Sequence, residues 1–237
     1  MSTIASETRG FAGHSVAAGR RHRAEVDAEA GESAPLSALP TPVSKTGREQ
    51  PPVIDLAQAP GAGEAWDRPS MVVYAWRICE LLFVSNPWQI SSRLRVATLR
   101  AFGAEIGPGV IFRPRTRVCL PWKLHIGSGC WIGEGVWFHN QDDVFIGSNV
   151  VVSQECFITT GSHRARTDMG LITKPVRIDD GAWVTSRCMV LGGAHIGRSA
   201  VVEPLTVVRG AVPANAVYGR PAGPAVIRER FREDDAR

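Results

Sequence analysis

Aliphatic residues recur every six positions through the second half of the chain, at Ile178, Val184, Val190, Ile196, Val202 and Val208. A period of six fits neither a helix, whose apolar stripe repeats at three and four, nor a strand that alternates every second residue. A short strand and a turn together fill six residues. Three such units close one triangular coil, with the aliphatic that opens each unit pointing into a dry interior. The second inward place comes four residues later, at Ala182, Cys188, Ala194, Ala200 and Thr206. All are small, as a narrow prism requires.

The same beat runs upstream through Ile106-Gly107, Ile126-Gly127-Ser128-Gly129, Ile132-Gly133-Glu134-Gly135 and Ile146-Gly147-Ser148-Asn149. Glycine or asparagine after the aliphatic is expected to serve a corner where φ is positive. Ile106, Ile126 and Ile146 stand twenty residues apart, which predicts an eighteen-residue coil with two more residues bulging at a corner. The ladder breaks between Ile158 and Ile178, so residues 164–174 are expected to form a loop thrown out of one coil.

Ahead of the coils the pattern changes. Met71 to Val84 is almost wholly apolar apart from Arg77 and Glu80, and Asn86-Pro87 ends it as a helix terminator. Fourteen residues are too few to span a bilayer, which leaves a helix that covers the open first coil or one that lies on a membrane surface with Tyr74 and Trp76 as anchors. Gln89 to Ala101 predicts a second helix, with Ile90, Leu94, Ala97 and Ala101 on one face and Arg93 and Arg100 off it. Residues 1–65 are rich in Ala, Gly, Pro, Ser and Glu, and are expected to be a disordered tail. Val226 to Phe231 is expected to be a short helix over the last coil.

Composition narrows the chemistry. A net charge of +4 and a pI near 9.0 admit an anionic co-substrate, but no basic run is interleaved with aromatic platforms as nucleic-acid binding asks. The five cysteines show no Cys-x-x-Cys or Cys-x-x-His spacing, and Cys130, Cys156 and Cys188 fall on small inward places. They are expected to be core thiols of a reducing, cytoplasmic setting rather than metal ligands or disulfides. Thr160-Gly161-Ser162-His163 closes a hexad where the ladder breaks. A corner residue there faces outward, so His163 is expected to stand on rigid coils beside a flap, and an imidazole suits proton abstraction near neutral pH. No paired nucleophile motif accompanies it.

The hexads resemble those of the left-handed parallel β-helix acyltransferases. Leu99 to Gly107, Pro121-Trp122, Thr160-Gly161-Ser162-His163 and Val217-Tyr218-Gly219 resemble the colanic-acid-biosynthesis O-acetyltransferases, over about Trp66 to Arg230. The resemblance implies a mainly β fold, a left-handed parallel β-helix of hexapeptide coils preceded by one or two helices. The expected layout is tail 1–65, helical cap 66–103, β-helix 104–213 with its loop, and a C-terminal extension 214–237. It further implies acetyl-CoA as co-substrate without a metal, and direct transfer to a sugar hydroxyl with His163 as general base. The implied assembly is a homotrimer with active sites between subunits. By the same likeness Asn140 or Asp142 lines the acceptor pocket, and Trp183, Ser186, Pro204, Thr206 and Arg209 flank the coenzyme A arm, with Arg209 and Arg228 near its phosphates.

Two departures stand out. The related enzymes commonly follow the histidine with aspartate, where this chain has Arg164 and reaches an acid only at Asp168. Gly219-Arg-Pro-Ala-Gly-Pro-Ala225 replaces their usual Gly-Asn-Pro-Ala. Amino-sugar, serine or antibiotic acceptors remain alternatives, since acceptor choice lies in loops. A lipid-linked saccharide would bring the protein to the membrane surface. A carbonic-anhydrase-like metalloenzyme needs three converging histidines, and His125, His139, His163 and His195 are isolated. A scaffold that has lost catalysis is the remaining alternative.

Overall fold

The computed structural model describes residues 53–60 and 67–219, and the backbone of 225–229. The expected tail lies outside the described residues except for 53–60, where the Asp55 carboxylate accepts from the Ala57 amide and caps a short turn, Leu56–Gln58.

The hexads fold as a three-sided prism of parallel strands. Its faces are sheets of six, seven and five strands, and each coil crosses all three in turn. Along the first face Ile106, Ile126, Ile146, Ile178, Ile196 and Val212 stand in register. The eighteen-residue coil and its twenty-residue variant therefore coexist in one ladder. The step from Ile146 to Ile178 holds the excursion. The opening aliphatics Val184, Val190, Ile196, Val202 and Val208 are fully buried, and the small places Ala182, Cys188, Ala200 and Thr206 are buried beside them. Two of the core thiols adjoin, and the Cys188 thiol and burial together push the Cys156 thiol up.

The positive φ expected in these runs falls on Gly129, Gly135 and Asn149, and the glycine directly after the aliphatic has another reason. Gly107, Gly127 and Gly147 do not adopt positive φ, whereas Gly109, Gly129 and Asn149, two residues later, do. What excludes a side chain at Gly107 is the next coil, since a Cβ there would lie 2.7 Å from the Gly127 carbonyl carbon. Where one coil lies this close to the next, as at Gly107, Gly127 and Gly147, a side chain would strike its backbone.

Two helices close the first coil. Helix α1, Ser70–Cys79, runs on as a π-helical turn, Glu80–Val84, and α2 is Ser92–Ala101, with Ser91 as its N-cap. The first coil exposes the unpaired edge of every face, and side chains from the helices satisfy them one by one. Trp76 Nε1 donates to the Val118 carbonyl at 2.9 Å, and Glu80, one turn on, accepts from the Val118 amide at 2.7 Å. Ser92 Oγ accepts from the Phe112 amide at 2.9 Å, and the buried Arg95 reaches the Phe112 carbonyl at 3.4 Å and the Val84 carbonyl at 3.1 Å. Arg100 donates to the Ile106 and Gly107 carbonyls. These bonds orient α2 so that Arg95, Val96 and Leu99 face the prism, and the apolar face Ile90, Leu94, Ala97 and Ala101 is turned outward.

At the other end the expected helix over Val226 to Phe231 is replaced by a strand. Ala225–Glu229 runs antiparallel to Ala216–Gly219 and pairs the last edge of the second face. Strand pairing satisfies that row of backbone groups, which a helix laid across it would leave open.

On the outer first face the His125 ring stacks on Phe145, its centroid 4.7 Å away, with Nδ1 2.9 Å from Glu105 and Nε2 2.9 Å from Asp143. Burial pulls the imidazole down, but the hydrogen bonds and charges of Asp143 and Glu105 outweigh it and leave its pKa raised. A group raised on folding stabilises fully below its unfolded value, about 6.5, and the gain fades as pH climbs through the folded value. Solvent screening limits the effect to at most about 1 kcal/mol. Urea midpoints of the wild type should therefore fall between about pH 5 and pH 8, and His125→Gln should flatten that slope.

Candidate active site

The excursion leaves the prism earlier than the sequence implies. Gly161–His163 pairs antiparallel with Leu171–Thr173, so the expected loop over 164–174 is a hairpin whose first arm already contains His163. The imidazole stands on that arm and not on a coil corner. The root is fixed to the coils: the Lys174 amide donates to the Thr160 carbonyl at 2.9 Å, and the Asp142 amide donates to the buried Thr160 Oγ at 2.8 Å.

The tip is organised around Arg164 and Asp168. Arg164 Nε and Nη2 each donate to one Asp168 oxygen at 2.8 Å, and the Gly170 amide donates to Asp168 Oδ1 at 2.9 Å. Hydrogen bonding to the Arg164 guanidinium holds the Asp168 carboxyl well below the usual carboxylate range. Within this turn Met169 takes a left-handed backbone, φ 56°, and His163 Nδ1 lies 2.8 Å from its carbonyl oxygen. A carbonyl only accepts, so Nδ1 carries the hydrogen. In the neutral ring the lone pair is then on Nε2. A backbone carbonyl thus bonds the ring in a chain that has Arg164 where the related enzymes commonly carry aspartate. The signal in the sequence was the Arg-x3-Asp spacing, which places the two charges across one tight turn.

Successive residues of a strand face opposite ways. Ser162 lies on the other side of the hairpin from His163 and, with Thr160, Ile172, Lys174, Leu191 and Arg209, lines a hollow of about 280 Å³ at the root.

The other anticipated residues divide between places. Trp183, Ser186 and Pro204 share a groove of about 860 Å³ along the outer second face. Its floor includes Trp131, Val151, Trp183, Val201 and Val217, which stand in register. Trp183 Nε1 donates to Ser153 Oγ at 2.9 Å, and Ser186 Oγ to Gln154 Oε1 at 3.0 Å. Thr206 is no part of that groove: it is 2% exposed and fills a small inward place, so its hydroxyl is closed to a ligand. Asn140 is likewise corrected. It is fully buried and donates to the Leu120 and Lys123 carbonyls at 2.7 and 3.2 Å while accepting from the Leu120 amide, so it staples two coils and has no free polar atom for an acceptor. Asp142 stays half-buried at the hairpin corner, where its carboxylate accepts from the Asp143 amide. The Arg228 side chain lies outside the described residues. Among the described residues no three metal-ligating side chains converge. His195 pairs with Asp179 on the first face, and His139 contacts Thr159 on the third.

No protein-family model matches the chain. It is 36% identical over 161 residues to the "Putative colanic acid biosynthesis acetyltransferase WcaF" of Escherichia coli, covering 67% of this chain and 87% of that protein. The chain belongs to the colanic-acid-biosynthesis group of hexapeptide-repeat acetyltransferases. Superposition on a hexapeptide-repeat acetyltransferase of Vibrio cholerae gives a TM-score of 0.63 at 21% identity, over 75% of this chain and 98% of the other, which establishes the left-handed β-helix. A galactoside acetyltransferase solved with coenzyme A superposes with a TM-score of 0.58 at 19% identity, over 73% of this chain and 84% of that one. The hairpin hollow and the outer groove of this chain share no lining residue.

Proposed function

We propose that the protein transfers acetyl from acetyl-CoA to a hydroxyl of a saccharide in exopolysaccharide biosynthesis, with His163 as the general base. The observation that carries this is the bond from His163 Nδ1 to the Met169 carbonyl, which leaves Nε2 as a free lone pair on an exposed ring. As the hydroxyl oxygen bonds to the thioester carbonyl carbon, Nε2 takes its proton. The C–S bond then breaks, and the proton passes on to the departing thiolate, giving an ester and free coenzyme A. Support for the donor comes from the Vibrio cholerae protein, solved with acetyl coenzyme A, and for the acceptor from relatives named for colanic acid biosynthesis and galactoside O-acetylation. Unpaired cysteines fit a reducing, cytoplasmic location. Incubation with acetyl-CoA and a panel of saccharides, amino sugars and serine, read by thiol release, tests the assignment. Turnover confined to an amine would overturn the hydroxyl, and no turnover with any acceptor would remove the donor.

In this reading the site is shared between copies of a homotrimer. The groove at Trp183, Ser186 and Pro204 and the hairpin bearing His163 occupy separate corners of one chain. Threefold closure would bring the hairpin of one copy to the groove of the next, with Asp142 and Arg209 at the acceptor and phosphate ends and Arg228 beyond. His163→Ala and Trp183→Arg should each be inactive alone. Co-expressed, they should recover turnover at least about tenfold above either parent, because one site then holds both intact residues.

Asp168 acts through Met169. Asp168→Ala should lower kcat on the order of tenfold while KM for acetyl-CoA holds, since the tip loosens and the groove is untouched. Equal losses in kcat and KM would mean a merely structural role.

A further inference from the structure

We propose that the outer face of the helical cap, centred on Met71, Tyr74, Ile78, Leu81, Trp88 and Ile90, lies in the surface of an anionic lipid bilayer. Helix α1 and its π-helical continuation carry two apolar stripes. Val73, Trp76 and Val84 are buried against the first coil, while Met71, Tyr74, Ile78 and Leu81 recur at helical spacing on the other side and stand open. A helix that only closes a solenoid needs one stripe, and its far side is ordinarily polar. Here Met71 is 81%, Leu81 68%, Trp88 90% and Ile90 87% exposed. Leu94 and Ala97 of α2 extend the same apolar surface.

Charge selects the occupant. From Arg68 to Ala101 the sole acidic residue is Glu80, which is buried and bonded to the Val118 amide and to Arg77. Arg68 and Arg93 are exposed, and Arg77, paired with Glu80, and Arg100, bonded to the Ile106 and Gly107 carbonyls, complete a net positive charge over this segment. That excess suits anionic headgroups, with Trp88 and Tyr74 at the level where amphipathic rings settle. A twofold contact with a second copy would set arginines against arginines. Residues 1–52 offer one aromatic, Phe11, to cover the face. The helices lie in the plane of the surface, for no described helix is long and apolar enough to cross a membrane.

This inference stands apart from acetyl transfer, because vesicle binding is read without turnover. The full-length protein is floated with vesicles of two parts phosphatidylcholine to one part phosphatidylglycerol, and with phosphatidylcholine alone. Flotation with the anionic vesicles, weakened about tenfold or more on neutral ones, is the expected result, and brominated lipid should quench Trp88. The variant carrying Leu81→Glu and Trp88→Glu should bind about a hundredfold more weakly, with melting temperature and sedimentation mass unchanged. Four results would each overturn the proposal: no flotation, equal flotation of the variant, a mass change in the variant that marks the face as a contact between copies, or protection of Trp88 from oxidation in lipid-free protein.

Discussion

Replacing His163 by alanine should cut acetyl transfer by about 10²–10⁴-fold and leave the melting temperature and the assembly as they are. The side chain is exposed, and among the described residues it bonds through Nδ1 to the Met169 carbonyl alone. Truncation therefore opens no cavity and orphans one acceptor that water can reach. What is lost is the lone pair on Nε2. A sugar hydroxyl is a weak acid, so without a positioned base its oxygen must attack as the neutral alcohol, and the barrier rises by the share that base catalysis supplies. Binding of acetyl-CoA, followed by calorimetry, should persist in the variant, because the groove around Trp183 lies at another corner. Retained turnover with intact binding would sink His163 as the base and move attention to Asp142, the acid at the same corner.

The prism was legible because its geometry repeats. Every coil poses the same steric question at the same two inward places, so one wrong residue type would show against many right ones. At the candidate site the sequence showed the break in the ladder beside His163 but not the geometry around it. Asn140 was expected at the acceptor pocket by family likeness alone, yet here the chain bulges from the coil and the Leu120 and Lys123 carbonyls take its amide as a donor inside. No periodicity announces that. The start of the hairpin was missed for a related reason: Gly161 and Ser162 continue the hexad phase after the chain has left the prism. The expected positive φ falls on Gly129, Gly135 and Asn149, whereas the glycine directly after the aliphatic answers to close approach between coils, a contact distant in sequence. The direction of α2 was equally invisible. Its apolar face Ile90, Leu94 and Ala97 looked inward by pattern, and backbone edges of the first coil, which favour Ser92, Arg95 and Arg100, turned it out.

Trp76→Ala should be the most damaging single change to stability, by about 3–5 kcal/mol, a fall in melting temperature of roughly 6–20 °C for a domain of this size. Trp76 is fully buried, its ring centroid lies 5.2 Å from that of Phe102, and it belongs to the same core as the coil interior. Truncation leaves a void at the open end of the prism, where no further coil can collapse onto it. It also strips the Val118 carbonyl of its donor, and that strand is the edge of the third face. Trp76→Phe separates the two contributions: it keeps most of the ring and loses the Nε1–H, so about 1 kcal/mol of the loss should remain. Met71→Ala supplies the control. It lies on the same helix and is 81% exposed, so its melting temperature should stay close to that of the wild type. If Trp76→Ala melted no lower than Met71→Ala, the three edges of the first coil would hold without the cap. The helices would then be retained for their outer face alone.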